Sequence, residues 1–194
     1  MLQLVLYKVI ESFLKLIMII KTDTINVKLM RHFQSIANHQ NIMIGSSTIE
    51  FMHLPGWYNA GVESCNTVQL LSKIHYSDFT RTKRVLLYIG VNDISHGIPC
   101  QKIASNILRI VNVFPKQTHV IYIPIIISEY QRKFGHNRLL LINTLNKYVA
   151  QQLSSKQNVR IVDMPHFSET DFSWDGLHLN ENGYKKLIFR LNIQ

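Results

Sequence analysis

The stretch Asn41-Ile42-Met43-Ile44-Gly45-Ser46-Ser47-Thr48-Ile49 decides the fold. Asn41–Ile44 is a short, largely apolar run, the composition of a strand covered on both faces. It breaks at a glycine followed by three hydroxyl residues, which favour turns and helix starts. A strand passing through a glycine corner into a helix is the opening of a β-α unit, so the flanking chain is read for its repetition.

The repetition is there. Arg84–Ile89, His119–Ile127 and Val159–Val162 are further β-branched or apolar runs, and Trp57–Ala60 is a weaker fifth. Between them Thr67–Ile74, Gln101–Phe114, Asn137–Leu153 and Asn180–Leu191 carry helical periodicity and good helix formers. Strands alternating with helices, joined by right-handed crossovers, predict a three-layer α/β/α sandwich on a parallel sheet. Its functional residues then lie at the carboxyl ends of the strands.

The 194 residues suit one domain, with no internal repeat, linker or low-complexity tract to divide it. We read residues 28–194 as that domain and 1–27 as an N-terminal amphipathic helix or extension. In residues 1–20, Lys8, Glu11, Ser12 and Lys15 share one helical face while Leu4, Val5, Val9, Ile10, Leu14, Ile17 and Met18 lie largely elsewhere. The charges argue against a membrane span, and no small-residue cleavage site follows. The reading favours a cytoplasmic protein whose first helix packs on the domain, with peripheral membrane contact through residues 1–20 as the alternative.

The formal net charge is +9, and eight Lys/Arg against one acid fall in residues 101–158. No like-charge run or basic-aromatic interleaving occurs there, so solvated helix faces are expected and a nucleic-acid partner is not. Cys65 and Cys100 lack metal or disulfide spacing and read as buried thiols. The eight histidines other than His178 show no metal-ligand spacing, and neither a phosphate loop nor a dinucleotide fingerprint is present.

Four short segments carry chemistry. Gly45-Ser46-Ser47 sets a hydroxyl at the corner after the first strand, although a serine there is more often a helix cap. Asn59-Ala60-Gly61 puts a backbone N–H within reach of a ligand, unless Gly61 only serves the turn. Gly90-Val91-Asn92-Asp93 brings a neutral side-chain donor to the same edge, where a loop asparagine can also hold its own backbone. Asp175-Gly176-Leu177-His178 pairs a carboxylate with an imidazole three residues on, at the start of the last helix. Such a pair fixes the ring tautomer and leaves the other nitrogen to face a distant serine.

In this order the four segments resemble the sequence blocks of the SGNH hydrolases, also called GDSL-like lipases or acylhydrolases, from about Asn41 to Leu191. The resemblance implies a flavodoxin-like fold with five parallel strands. It further implies Ser47 as nucleophile, His178 as base and Asp175 as its partner, with the Ser47 amide, Gly61 and Asn92 as oxyanion donors. No cofactor or metal is implied. The family's Gly-Asp-Ser stands here as Gly45-Ser46-Ser47, which makes Ser46 a rival nucleophile. Ser47 holds the family position, and Ser46 is expected to brace the turn by local hydrogen bonds. Glu63, beside Gly61, is expected to narrow the pocket or disfavour anionic substrates.

The expected reaction is hydrolysis of a small-molecule ester, an O-acetyl group on carbohydrate or a short-chain ester, through an acyl-enzyme on Ser47. Acyltransferase, lysophospholipase and thioesterase activities suit the same residues. A non-catalytic basic binding module of the same fold is the alternative from a different class.

Overall fold

The structure is a computed structural model that describes residues 2–193 apart from 129, 130, 133 and 134; for 2–9 it describes the backbone alone. Leu4, Val5, Lys8 and Val9, part of the amphipathic reading, therefore have side chains outside the described residues.

Five strands, β1 (Asn41–Gly45), β2 (Tyr58–Gly61), β3 (Arg84–Tyr88), β4 (His119–Tyr122) and β5 (Val159–Ile161), form one sheet in the order β2-β1-β3-β4-β5. Every neighbouring pair is parallel, with Gly45 beside both Gly61 and Tyr88 at the carboxyl edge. The order reverses at β1. This is the switch point where open α/β sheets gather their sites, and Gly45-Ser46-Ser47 lies there.

Among the described residues, seven α-helices flank the sheet: α1 (Leu2–Ser35), α2 (Ser47–Glu50), α3 (Thr67–Ile74), α4 (Val91–Ser95), α5 (Cys100–Val111), α6 (His136–Leu153) and α7 (Glu181–Leu191). Contacts run from α1 to α3, α3 to α5 and α5 to α6, so these four make one layer. The other layer holds α2 and α7, joined where Tyr184 Oη donates to the Thr48 carbonyl at 3.1 Å. The sheet is sealed between them, with Ile42, Ile44, Val85, Leu87, Val120 and Ile123 fully buried. The fold is the expected three-layer sandwich.

Local chemistry sets the boundaries. Asn66 caps α3 in a reciprocal box with Gln69, and Asn180 caps α7 by accepting from the Asn182 and Gly183 amides. The strand read as His119–Ile127 ends at Tyr122. Pro124 has no N–H for a ladder, and the Asn146 side chain instead bonds the Ile125 N–H and carbonyl, at 2.8 and 3.0 Å.

The first helix joins the two segments. It runs unbroken across positions 27 and 28, with Ile25, Leu29 and Phe33 buried on the domain while residues 10–24 stand exposed. Of its described side chains, only those from Ile25 onward are buried or half-buried. Cys65 and Cys100 are buried free thiols, as expected.

Candidate active site

The corner after β1 needs Gly45. A Cβ there would sit 1.9 Å from the Tyr88 carbonyl oxygen, because the chain crosses the end of β3 with no room for a side chain. The Ser46 amide donates to that same carbonyl at 3.1 Å, and the Ser46 carbonyl accepts the Ile49 and Glu50 amides, which starts α2. Ser47 is thereby the first helical residue. Its N–H has no acceptor within the helix and its hydroxyl faces the rim, 8% of the residue being exposed.

Opposite it stands the loop before α7. A bridge between Phe172 and Leu179 and a bond from the Ser173 amide to the His178 carbonyl, 2.7 Å, close this loop. Beneath, the buried Asp171 carboxylate accepts from Ser168 and from Lys186 at 2.7 Å. These bonds hold the Asp171 carboxyl below its ordinary value, although burial acts to raise it.

Within this frame His178 Nε2 lies 3.1 Å from Ser47 Oγ, across 131 positions of sequence. His178 Nδ1 lies 2.6 Å from Asp175 Oδ2, while Asp175 Oδ1 accepts the Leu177 and His178 amides at 2.9 and 3.0 Å. Burial raises the Asp175 carboxyl, but the bonds from the ring and the two amides outweigh it and hold the group below its ordinary value. An ionised carboxylate only accepts, so it fixes the Nδ1–H tautomer and leaves Nε2 free to take a proton from Ser47. Phe51 meets the His178 ring edge-on, 5.7 Å between centroids, and limits its rotation.

The expected donors lie at this same edge, Gly61 at the end of β2 and Asn92 just after β3. Asn92 spends one amide hydrogen on the Cys65 carbonyl, at 2.9 Å, and retains a second. Gly61 is required by packing, since a Cβ there would meet the Glu50 amide nitrogen at 2.2 Å. Its N–H already donates to Asn59 Oδ1 at 2.9 Å, so any oxyanion must share it.

Ser46 departs from expectation. Its hydroxyl is fully buried and has no hydrogen-bond partner among the described residues, so the turn is held by the Ser46 backbone and not its side chain. Glu63 is exposed at the edge, where its amide donates to the Glu50 carboxylate.

Two supporting residues escaped the sequence reading. The Asn59 side-chain amide donates to the Ile49 and Met52 carbonyls, at 2.7 and 2.9 Å, which ties the end of α2 to β2. Asp93 is wholly buried and accepts from the Thr67 amide and hydroxyl, which fastens the segment carrying Asn92 to the start of α3. Burial pushes its carboxyl up from the ordinary value, against those bonds. An aspartate directly after Asn92 in an otherwise apolar strand-end motif was the available signal. Among the described residues no three His, Cys, Asp or Glu side chains converge to hold a metal ion.

A parallel five-stranded sandwich with a serine, a histidine and an aspartate hydrogen-bonded in series at its switch point defines the class of SGNH-type hydrolase folds. The family model for GDSL-like lipase/acylhydrolase matches residues 29–191, and the chain belongs to that family. Among solved structures, the chain is similar to a Streptococcus pneumoniae protein provisionally described as a platelet activating factor. Identity is 21% and the TM-score 0.78, over 95% of this chain and 97% of that one. It is also similar to Axe2, an acetylxylan esterase from Geobacillus stearothermophilus, at 12% identity and TM-score 0.63, over 81% and 96% of the two chains. A third is a family 3 carbohydrate esterase from Clostridium thermocellum, at 19% and 0.59, over 79% and 93%. At these identities the likeness carries the fold alone. No curated protein matches the sequence.

Proposed function

We propose that this chain is a serine esterase that cleaves small acyl esters. The observation carrying the proposal is the unbroken series from Ser47 Oγ through His178 to Asp175, at 3.1 and 2.6 Å. Ser47 Oγ attacks the ester carbonyl carbon as His178 Nε2 takes its proton. Negative charge moving onto the carbonyl oxygen is met by the Ser47 amide and the second Asn92 amide hydrogen, with the Gly61 amide as a shared third donor. The carbon–oxygen bond to the alcohol then breaks, and His178 returns its proton to the leaving oxygen. Water, deprotonated by the same nitrogen, attacks the acyl-enzyme and frees the acid and Ser47.

Small acyl groups are favoured because the site opens directly at the rim, where 35% of the His178 side chain is exposed. Two of the similar folds are described as acetylxylan and carbohydrate esterases, which agrees with an O-acetyl substrate. The test is a panel of p-nitrophenyl esters of rising chain length, with acetylated sugars, on wild type and Ser47→Ala. The proposal expects turnover highest for acetyl and lost in the variant. Equal turnover by the two proteins rejects it.

A further inference from the structure

The N-terminal half of α1 has no place in the reaction, and its geometry is unusual for a soluble domain. Lys28 Nζ contacts Glu50 at the end of α2, 3.1 Å, so α1 runs antiparallel to β1 and its residues before Ile25 pass beyond the carboxyl edge of the sheet. At 1.5 Å per residue the exposed stretch 10–24 projects roughly 20 Å past the edge that holds Ser47 and His178.

This projection is apolar. Every large apolar side chain from Ile10 to Ile20 is 45% exposed or more. At about 100° per residue they span roughly 260° of the helix, more than twice the stripe that packing on a neighbour covers, with Glu11 and Lys15 in the remaining gap. Most of that arc points away from the domain, while Leu14 and Met18 lie within about 20° of the line through Ile25 and Leu29. Glu11 and Lys15 fall five full turns before Leu29 and Phe33, so the polar side of the projection continues the line on which α1 packs. The exposed arc therefore reaches far beyond the core stripe and meets it only at Leu14 and Met18.

Charge follows the same side. Lys21, Lys28 and Arg31 continue the apolar arc towards the domain, and residues 1–40 carry five Lys/Arg against two acids. Glu11 is neutralised by Lys15 at 2.6 Å. At the carboxyl edge itself Phe51, Val68, Leu140, Leu141, Trp174 and Leu177 also stand exposed, Trp174 at 99%. Among the described residues, only Tyr76 and Phe189 of the exposed large apolar side chains lie away from α1 and this edge. No helix among the described residues is long and apolar enough to cross a membrane.

We propose that residues 10–20 of α1 enter the surface of an anionic lipid bilayer obliquely, with Lys21, Lys28 and Arg31 at the headgroups, and turn the carboxyl edge towards the lipid. A wide apolar arc with cations on its flank is the pattern of an interfacial helix. A second copy of this chain would cover one stripe and leave the rest of the arc, and the edge residues, in water. The docking is independent of the catalytic reading.

The test uses the full chain with vesicles of phosphatidylcholine alone or mixed equally with phosphatidylglycerol. Co-sedimentation is expected with the mixed vesicles, weakened by salt, and reduced roughly tenfold or more in a Phe13→Ser, Ile17→Ser, Ile20→Ser variant. That variant should retain the wild-type circular dichroism spectrum and melting temperature. In a Trp57→Phe background, emission from Trp174 should shift to the blue when mixed vesicles are added. Equal partition of the wild type and the triple variant overturns the proposal, as does an unmoved Trp174 spectrum. Concentration-dependent dimers by sedimentation velocity, abolished in the triple variant and without vesicle binding, would assign the arc to a second copy instead.

Discussion

Replacing Asp175 by asparagine should slow the enzyme more than replacing it by alanine. Asp175 Oδ1 accepts two backbone amides, from Leu177 and His178, and only Oδ2 faces the ring. In Asp175→Asn those amides retain the side-chain oxygen and turn the NH₂ towards His178 Nδ1. The ring must then accept at Nδ1 and carry its proton at Nε2, where it cannot take one from Ser47. Restoring the working tautomer breaks two neutral hydrogen bonds, about 1 kcal/mol each. Both variants also lose the carboxylate that faces the nascent imidazolium. At a charge separation of about 4 Å that attraction is about 4 kcal/mol for an effective dielectric of 20 and about 1 in bulk water. With 35% of the His178 side chain and 27% of Asp175 exposed, solvent screening brings it to about 2 kcal/mol. Asp175→Ala should therefore lose roughly 30-fold in kcat/KM and Asp175→Asn roughly 10³-fold. Initial rates on p-nitrophenyl acetate measure both. An asparagine variant faster than the alanine variant would refute the tautomer argument.

Other consequences follow from the same geometry. Asn92→Ala should lower kcat by about 10²–10³ and leave KM little changed, read from saturation curves; a pure KM effect would remove Asn92 from the oxyanion site. Ser46→Ala deletes a buried hydroxyl without a partner, so melting and turnover should be unchanged or the protein slightly more stable, by up to about 1 kcal/mol. A clear loss of stability would mean that the hydroxyl is bonded. Asp171 and Asp175 are held below their ordinary carboxyl values, so the unfolded chain binds more protons and stability rises with pH. Their contribution is present above the unfolded carboxylate range and is lost as pH falls through the lower folded values, while Asp93, pushed up by burial, contributes a slope of opposite sign. Urea midpoints against pH should show a shallower acid limb in Asp171→Asn; an unchanged limb counts against the Lys186 and Ser168 bonds as its source.

Much of this architecture was legible because buried parallel strands and amphipathic helices write distinct periods. Thr67–Ile74 was read to its observed ends from its helical periodicity and helix formers. His119–Ile127 was overextended, because Ile125–Ile127 is as apolar as a strand and only Pro124 and a distant Asn146 reveal that no partner strand follows. α1 blurred for a related reason: of its described apolar residues only Ile25, Leu29 and Phe33 are buried, while those from Ile10 to Ile20 are exposed around most of the helix, so no single stripe spans it. In the site, chemistry that depends on identity was visible and chemistry that depends on tertiary partners was not. Ser47, Asn92, Asp175 and His178 stand in motifs whose residue types announce donors, acceptors and a base. That Asn59 occupies the Gly61 amide, that Asp93 anchors Thr67, and that Ser46 is sealed without a partner follow only from where distant backbone lies.

The proposed reaction requires one oxygen, Ser47 Oγ, to become covalently bound. Treatment with a fluorophosphonate, followed by peptide mass mapping, should place a single adduct on Ser47 at neutral pH, and the adduct should be absent from Ser47→Ala. An adduct on Ser46, or none on a folded protein, would contradict it.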